Sequence, residues 1–487
     1  MRTKRTFLLG TSVLAGVLAA STAMAQEANG SAQTEATEVS EIVVTGSRIR
    51  RNDLTAATPI SIVSSETLDA KGYANVASAL NEMPGSGVPI TPEGDQASFG
   101  AGRSYVNLFN LGTNRTLVLV NGRRFVGANV SSIFSGSSAG GQVDFSSIPT
   151  ALIDRVETVQ AAGGAIYGSD AVAGVINVIT KRSFEGFESN IEYGISEEGD
   201  ADQFRFRATA GDTFFNDRLA ISGSYEYAET DSLAYTDRDR TAQQWFRSVN
   251  PANTSATDGI PANIWYPNRR IGEMTKGGLA FRTGGIAMSN LLTMEDPNNP
   301  GSRVAAQFAP DGTLVPYNPG HYVAATQFSG GDGLNLAELT SLQSPVTRHN
   351  ATLFANYEIA PRVRLDTEVF YNRTKATEDF NQPIFNSGAF GGVSGALQFS
   401  TANPFLSAQA RNELLNQPNA LPEDPNNPGE RLFYLHRAST DLVEPNALAE
   451  SDTYRIVANL NGDFDAIGRT FFWNVAANYG RNEGFFE

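Results

Sequence analysis

Cysteine is absent from all 487 residues, so no disulfide, thiolate metal site or cysteine nucleophile is available. Histidine is almost as scarce: His321, His349 and His436 are the only three, and they lie far apart. No HExxH, GxSxG or Walker pattern occurs, so neither catalysis nor a resident cofactor or metal is expected. Positive charge is in deficit, with 36 Lys and Arg against 52 Asp and Glu. That balance argues against nucleic acid as a partner, because phosphate neutralisation needs an excess of cations. Long apolar runs are also missing. Beyond residue 25 none approaches the roughly 20 residues a membrane helix requires.

The first residues do hold a short apolar run. Arg2, Lys4 and Arg5 form a basic tip, Phe7–Ala20 is apolar, and Ala23-Met24-Ala25 offers small residues for signal peptidase. This order predicts a cleaved secretory signal over 1–25, with the mature chain starting at Gln26. Residues 26–52 form a polar leader without periodicity. It is interrupted by Glu41-Ile42-Val43-Val44-Thr45-Gly46, whose run of β-formers reads either as a first strand or as an extended handle for a partner.

Residues 53–183 read as a mixed α/β domain. Pro59–Val63 is a short strand, Ser65 and Asn75 are helix caps, and Pro84-Gly85 is a stop. Arg115–Val120 is a strand turning through Asn121-Gly122, a type I′ hairpin signal, into Arg124–Val126. Ser147 and Pro149 open a further helix through Ile153, and Val156–Gln160 is a strand. Val175–Thr180, apolar at nearly every position, is a strand covered on both faces.

From about residue 184 the period becomes two. Phe204, Phe206, Ala208 and Ala210 oppose Arg205, Arg207 and Thr209. Ile221, Tyr225 and Tyr227 oppose Ser222, Ser224 and Glu226. Similar runs follow at Ala351–Ile359, Val363–Asn372, Tyr454–Asn461 and Phe471–Asn478. A soluble sandwich alternates too, but runs of about ten residues with aromatics near their ends suit tilted strands crossing a membrane. The connections separate the two: tight turns alternate with very long stretches, about 230–347 and 375–450, as in a barrel with large loops on one side only. Both long stretches contain Glu-Asp-Pro-Asn-Asn-Pro-Gly, at 295–301 and 423–429, which reads as a repeated turn.

In this order the chain resembles the TonB-dependent outer-membrane transporters. Glu41–Gly46 resembles the TonB box, and Arg115–Arg124 the central hairpin of the plug, with Asn121 where the family often has Asp. Leu152-Ile153-Asp154-Arg155-Val156-Glu157 and Tyr167–Lys181 resemble the plug's end. The resemblance implies an antiparallel membrane β-barrel behind an N-terminal mixed α/β plug, in the outer membrane of a Gram-negative cell. It implies TonB, with its inner-membrane energising complex, as the partner of Glu41–Gly46, and a bulky extracellular nutrient as ligand. Phe99, Phe134 and Trp265 are candidate ligand contacts, and Arg103 is a candidate for ligand or a plug–barrel ion pair. The family barrel has about 22 strands. About seven are legible here, so the barrel is expected to be incomplete, as in the N-terminal portion of a longer protein. A passive porin or an adhesin is the alternative reading.

Overall fold

The computed structural model describes residues 60–70, 75–87, 102–128, 142–160, 164–181, 183–324, 327–379, 385–388, 395–442 and 446–486. The first unit is built on a sheet of β1 (Ile60–Ser64), β2 (Thr116–Val120), β3 (Arg123–Arg124), β4 (Ile153–Gln160) and β5 (Gly174–Thr180), in the order β1-β4-β5-β2-β3. The pair β2/β5 is parallel and the others antiparallel. β5 lies at the centre, with neighbours on both edges and nearly every side chain buried, as its unbroken apolar run predicts.

Local chemistry explains the connections. Asn75 caps α2 (Val76–Asn81) by accepting a hydrogen bond from Ser78 N at 3.1 Å. At the β2–β3 hairpin Asn121 and Gly122 have φ of 52° and 75°, the positive pair that a type I′ turn needs. Two expectations fail. Ser65 is not a cap but the first residue of α1 (Ser65–Ala70), and Ser64 Oγ accepts from Thr67 N instead. No helix runs from Ser147 to Ile153. A single 3₁₀ turn, Phe145–Ser147, is closed by Asp144 Oδ1 accepting from Ser146 N, and β4 starts at Ile153. The Asp144 cap and the Ile148-Pro149 step confine the turn locally.

The second unit is a meander of seven antiparallel strands: β6 (Gly186–Gly194), β7 (Gln203–Phe214), β8 (Leu219–Thr230), β9 (Val346–Ala360), β10 (Val363–Asp379), β11 (Asn446–Ala466) and β12 (Arg469–Phe486). Its path is open, ending at β6 and β12. Turns of a few residues join β7–β8, β9–β10 and β11–β12 at one end of the sheet, and the long connections leave from the other. The burial pattern inverts that of a soluble protein. Arg205, Arg207, Thr209, Ser222, Ser224 and Glu226 are buried, while Phe187 and Ile191 are 73% and 68% exposed. Tyr225, Leu353, Tyr454, Ile456 and Tyr479 share the exposed apolar face. Such a face is stable against lipid and costly against water, which fits membrane strands and not a sandwich. Among the described residues no helix is long and apolar enough to cross a membrane.

The two long connections fold together into a cap. Leu279–Phe281 from the first pairs with Leu432–Ala438 from the second, placing Leu279 beside His436. The helix Ala408–Leu415 covers this sheet, and Leu292, Met294, Leu314, Leu414 and Phe433 form a shared apolar core. Gln417 and Gln409 use their side-chain amides as strand surrogates: each donates to and accepts from one backbone unit, at Thr293 and Leu314. The repeated heptapeptide forms the same turn twice. Asp296 N and Asp424 N donate to Ser302 O and Glu430 O at 2.9 and 3.0 Å, and Gly301 and Gly429 take φ of 86° and 87°.

Candidate functional site

The polar inner face of the strands meets the plug sheet along a seam. Its centre is apolar: Phe354 and Phe370, from β9 and β10, join the plug core of Val118, Phe125, Phe145 and Ile176. Gly102 of the plug lies so close to β10 that a Cβ there would sit 2.6 Å from Ala376 Cβ. Around this contact the partners are polar. Thr150 Oγ1 donates to Glu226 Oε2 at 3.0 Å and accepts from Arg207. Asn350 donates to Ser146 O and accepts from Asn372, while Arg348 donates to Gly102 O.

Among the described residues the most deeply buried charge is Arg455, and its partner is Glu368. Arg455 is 0% exposed and donates to Glu368 Oε2 at 2.8 Å, one strand across. Its Nε and Nη2 have no hydrogen-bond partner. Instead the guanidinium lies 5.4 Å from the ring centroids of both Phe125 and Phe370, where aromatic faces replace part of the lost hydration. The other Glu368 oxygen faces the plug: Asn121 Nδ2 donates to it at 2.9 Å, and Arg123 lies 3.7 Å away. Asn121 also accepts from Thr180 N at 3.0 Å, so its amide needs both its donor and its acceptor. An Asp at this position would set a second carboxylate against Glu368.

Of the candidate residues, Glu41–Gly46, Phe99 and Phe134 lie outside the described residues. Arg103 is buried within the plug and donates to Ala128 O. Trp265 is 63% exposed on the hairpin strand Asn263–Tyr266, in register with Arg247. No hydrogen bond or ion pair joins Arg103 to Trp265 among the described residues. The seam's ion pair is carried by Arg123, Glu368 and Arg455, which sequence reasoning left without a role. Glu368 and Arg455 do stand out in the sequence as charges set into β-forming runs, but nothing local pairs them.

In the cap, Glu273 is 1% exposed and neither carboxyl oxygen has a partner, so burial pushes it up to about 7. His436 stacks on Phe281 with centroids 4.3 Å apart, and burial holds it down at about 4. A cavity of about 1060 Å³ also lies in the cap. Among the described residues no cluster of three or more His, Asp or Glu is placed to hold a metal ion.

A mixed α/β plug seated on the polar face of outward-apolar strands defines a plugged membrane barrel as the class. Residues 52–175 match the family described as the TonB-dependent receptor plug domain, so that stretch is a plug of this family and the chain is consistent with a TonB-dependent receptor. It is 28% identical over 276 residues to the vitamin B12 transporter BtuB of Vibrio vulnificus, covering 54% of this chain and 40% of that protein. Solved structures with similarity include the ferric enterobactin receptor PfeA of Pseudomonas aeruginosa, at 13% identity and TM-score 0.39, covering 88% of this chain and 50% of that one. The siderophore receptor PirA of Acinetobacter baumannii gives 13% identity and TM-score 0.39, with 87% and 48% covered. The chain thus spans less than half of the curated relative and about half of these structures.

Proposed function

We propose that this chain is the plug and first barrel strands of a transporter that takes up a bulky nutrient across the outer membrane, driven through TonB. The observation that carries the reading is the polar seam. Around the apolar centre, plug–strand contacts such as Asn121–Glu368 and Thr150–Glu226 exchange for water, so separating them costs less than separating the same area of apolar core. Arg455 keeps its Glu368 partner from a neighbouring strand even when the plug shifts. A plug held this way can be displaced by a pull without destroying the sheet around it.

The pull is assigned to Glu41–Gly46. An extended segment can add to the edge of a TonB sheet, with main-chain hydrogen bonds supplying the grip. The basic and apolar segment at 1–25 directs export, and lipid is the partner of the exposed aromatic face. The curated relative's name mentions vitamin B12, which supports a bulky nutrient as the ligand. A passive porin does not need a plug packed into its strands, which disfavours that alternative. Val43→Pro removes a main-chain donor from the pairing segment. Energised uptake by the full-length protein is expected to fall to the level seen after the proton gradient is collapsed. Uptake at the unsubstituted rate overturns the assignment.

A further inference from the structure

We infer that the cap carries an elongated binding track for an uncharged oligosaccharide, a deepening of the uptake reading on which it rests. Two cavities lie side by side within the long connections, about 1060 and 530 Å³, and they share Asn403 and Leu406 in their walls. A linear ligand fits such an arrangement better than a compact one. The larger cavity takes its walls from both connections, so it exists only when the two fold together.

The charge of the walls selects the ligand. The larger cavity has three cations, Arg270, Lys276 and Arg437, and three acids, Asp332, Glu338 and Asp441. Lys276 is paired with Glu338 at 2.5 Å and Arg437 with Asp441 at 2.6 Å. In the smaller cavity Arg411 is likewise paired with Glu430. A polyanionic metal chelate finds no cationic field here. Only Arg270 has no acid within ion-pair distance among the described residues, and it donates to the neighbouring Arg269 O.

The remaining walls suit sugar. Phe308, Phe399, Phe405 and Phe433 line the larger cavity, and Phe405 is 89% exposed. A flat ring held open to solvent can cover the C–H face of a pyranose, while planar amides satisfy its hydroxyls. Asn403, Asn426 and Asn427 supply such groups in the smaller cavity, the last two from the second copy of the repeated turn. Asn403 Oδ1 also accepts from Phe405 N at 3.0 Å, which fixes the ring's segment.

The test is equilibrium binding to the full-length protein in detergent, without TonB or a gradient. The probes are maltohexaose, cellohexaose, xylohexaose and laminarihexaose, beside ferric enterobactin and cyanocobalamin. At least one hexasaccharide is expected to bind, at least tenfold more weakly to Phe405→Ala and near normally to Phe405→Trp. Phe405 is too exposed for either change to threaten folding. Failure of all four sugars, or equal binding by Phe405→Ala, overturns the track. Binding of ferric enterobactin or cyanocobalamin alone overturns the sugar class yet leaves TonB-driven uptake standing. Val43→Pro is expected to leave sugar binding unchanged, so the two readings fail separately.

Discussion

The seam and the cap bury opposite kinds of residue. Along the seam Arg455, Glu368, Glu226 and Asn350 point inward and Ile456, Tyr454 and Leu353 point out. In the cap Leu279, Phe281, Met294, Leu414 and Phe433 are inside, as in any water-soluble domain. The same chain follows both rules because its two halves face different solvents. Lipid accepts an apolar exterior and leaves polar groups to be satisfied within, whereas water drives apolar groups inward. Around its apolar centre the seam is therefore held by directional bonds that can be exchanged, whereas the core of the cap is held by apolar area.

This contrast can be broken at its strongest point. Arg455→Ala leaves Glu368 buried with only the more distant Arg123 as a cation, and the unfolding free energy is expected to fall by about 3 kcal/mol. The double change Arg455→Leu with Glu368→Leu is expected to recover most of that loss, because two charges disappear together. Denaturant unfolding in detergent reads both, and equal loss in the single and double variants contradicts the account.

A cap-core change should behave differently. Leu414→Ala opens a void in a fully buried site and is expected to cost about 3 kcal/mol. Hydrogen exchange should show the loss over 279–316 and 408–438, with β9–β11 protected as before. Uniform loss across both regions means that cap and strands unfold as one unit.

The pH response sharpens the comparison further. Glu273 is raised from 4.5 to about 7 by burial in the cap, so the folded cap holds a proton that the unfolded chain releases. Its contribution is intact below pH 4.5 and is lost as pH rises toward 7, on the order of 3 kcal/mol at most. Glu273→Gln is expected to flatten that decline, a gain at pH 8 and little change at pH 4.5. A decline as steep in the variant points to another group. The smallest effect belongs to the tight turns: Arg362→Ala removes exposed pairs with Asp463 and Asp465, and the midpoint of unfolding should stay within error.

Much of the architecture was legible from local pattern. The unbroken apolar run at 175–180 announced a central strand, and Asn121-Gly122 a type I′ turn. Period-two alternation announced the strands. Where a competing local bond decided the matter the reading failed, as at 147–153, where Asp144 closes a single turn and leaves Ile153 free to start β4. The role of Arg455 was illegible for a different reason. Its partner Glu368 and its aromatic neighbours Phe125 and Phe370 lie about 85 to 330 positions away in the chain, and no periodicity spans such distances.

By itself the sequence determined which residues alternate, where the turns fall and that the plug precedes the strands, because these depend on neighbours a few positions apart. Only the tertiary structure decided which face turns inward, since alternation is symmetric and either face can be buried. It also decided that the two long connections form one cap. That pairing of 279–281 with 434–436 is set by shared apolar burial across more than 150 residues, which no local signal encodes.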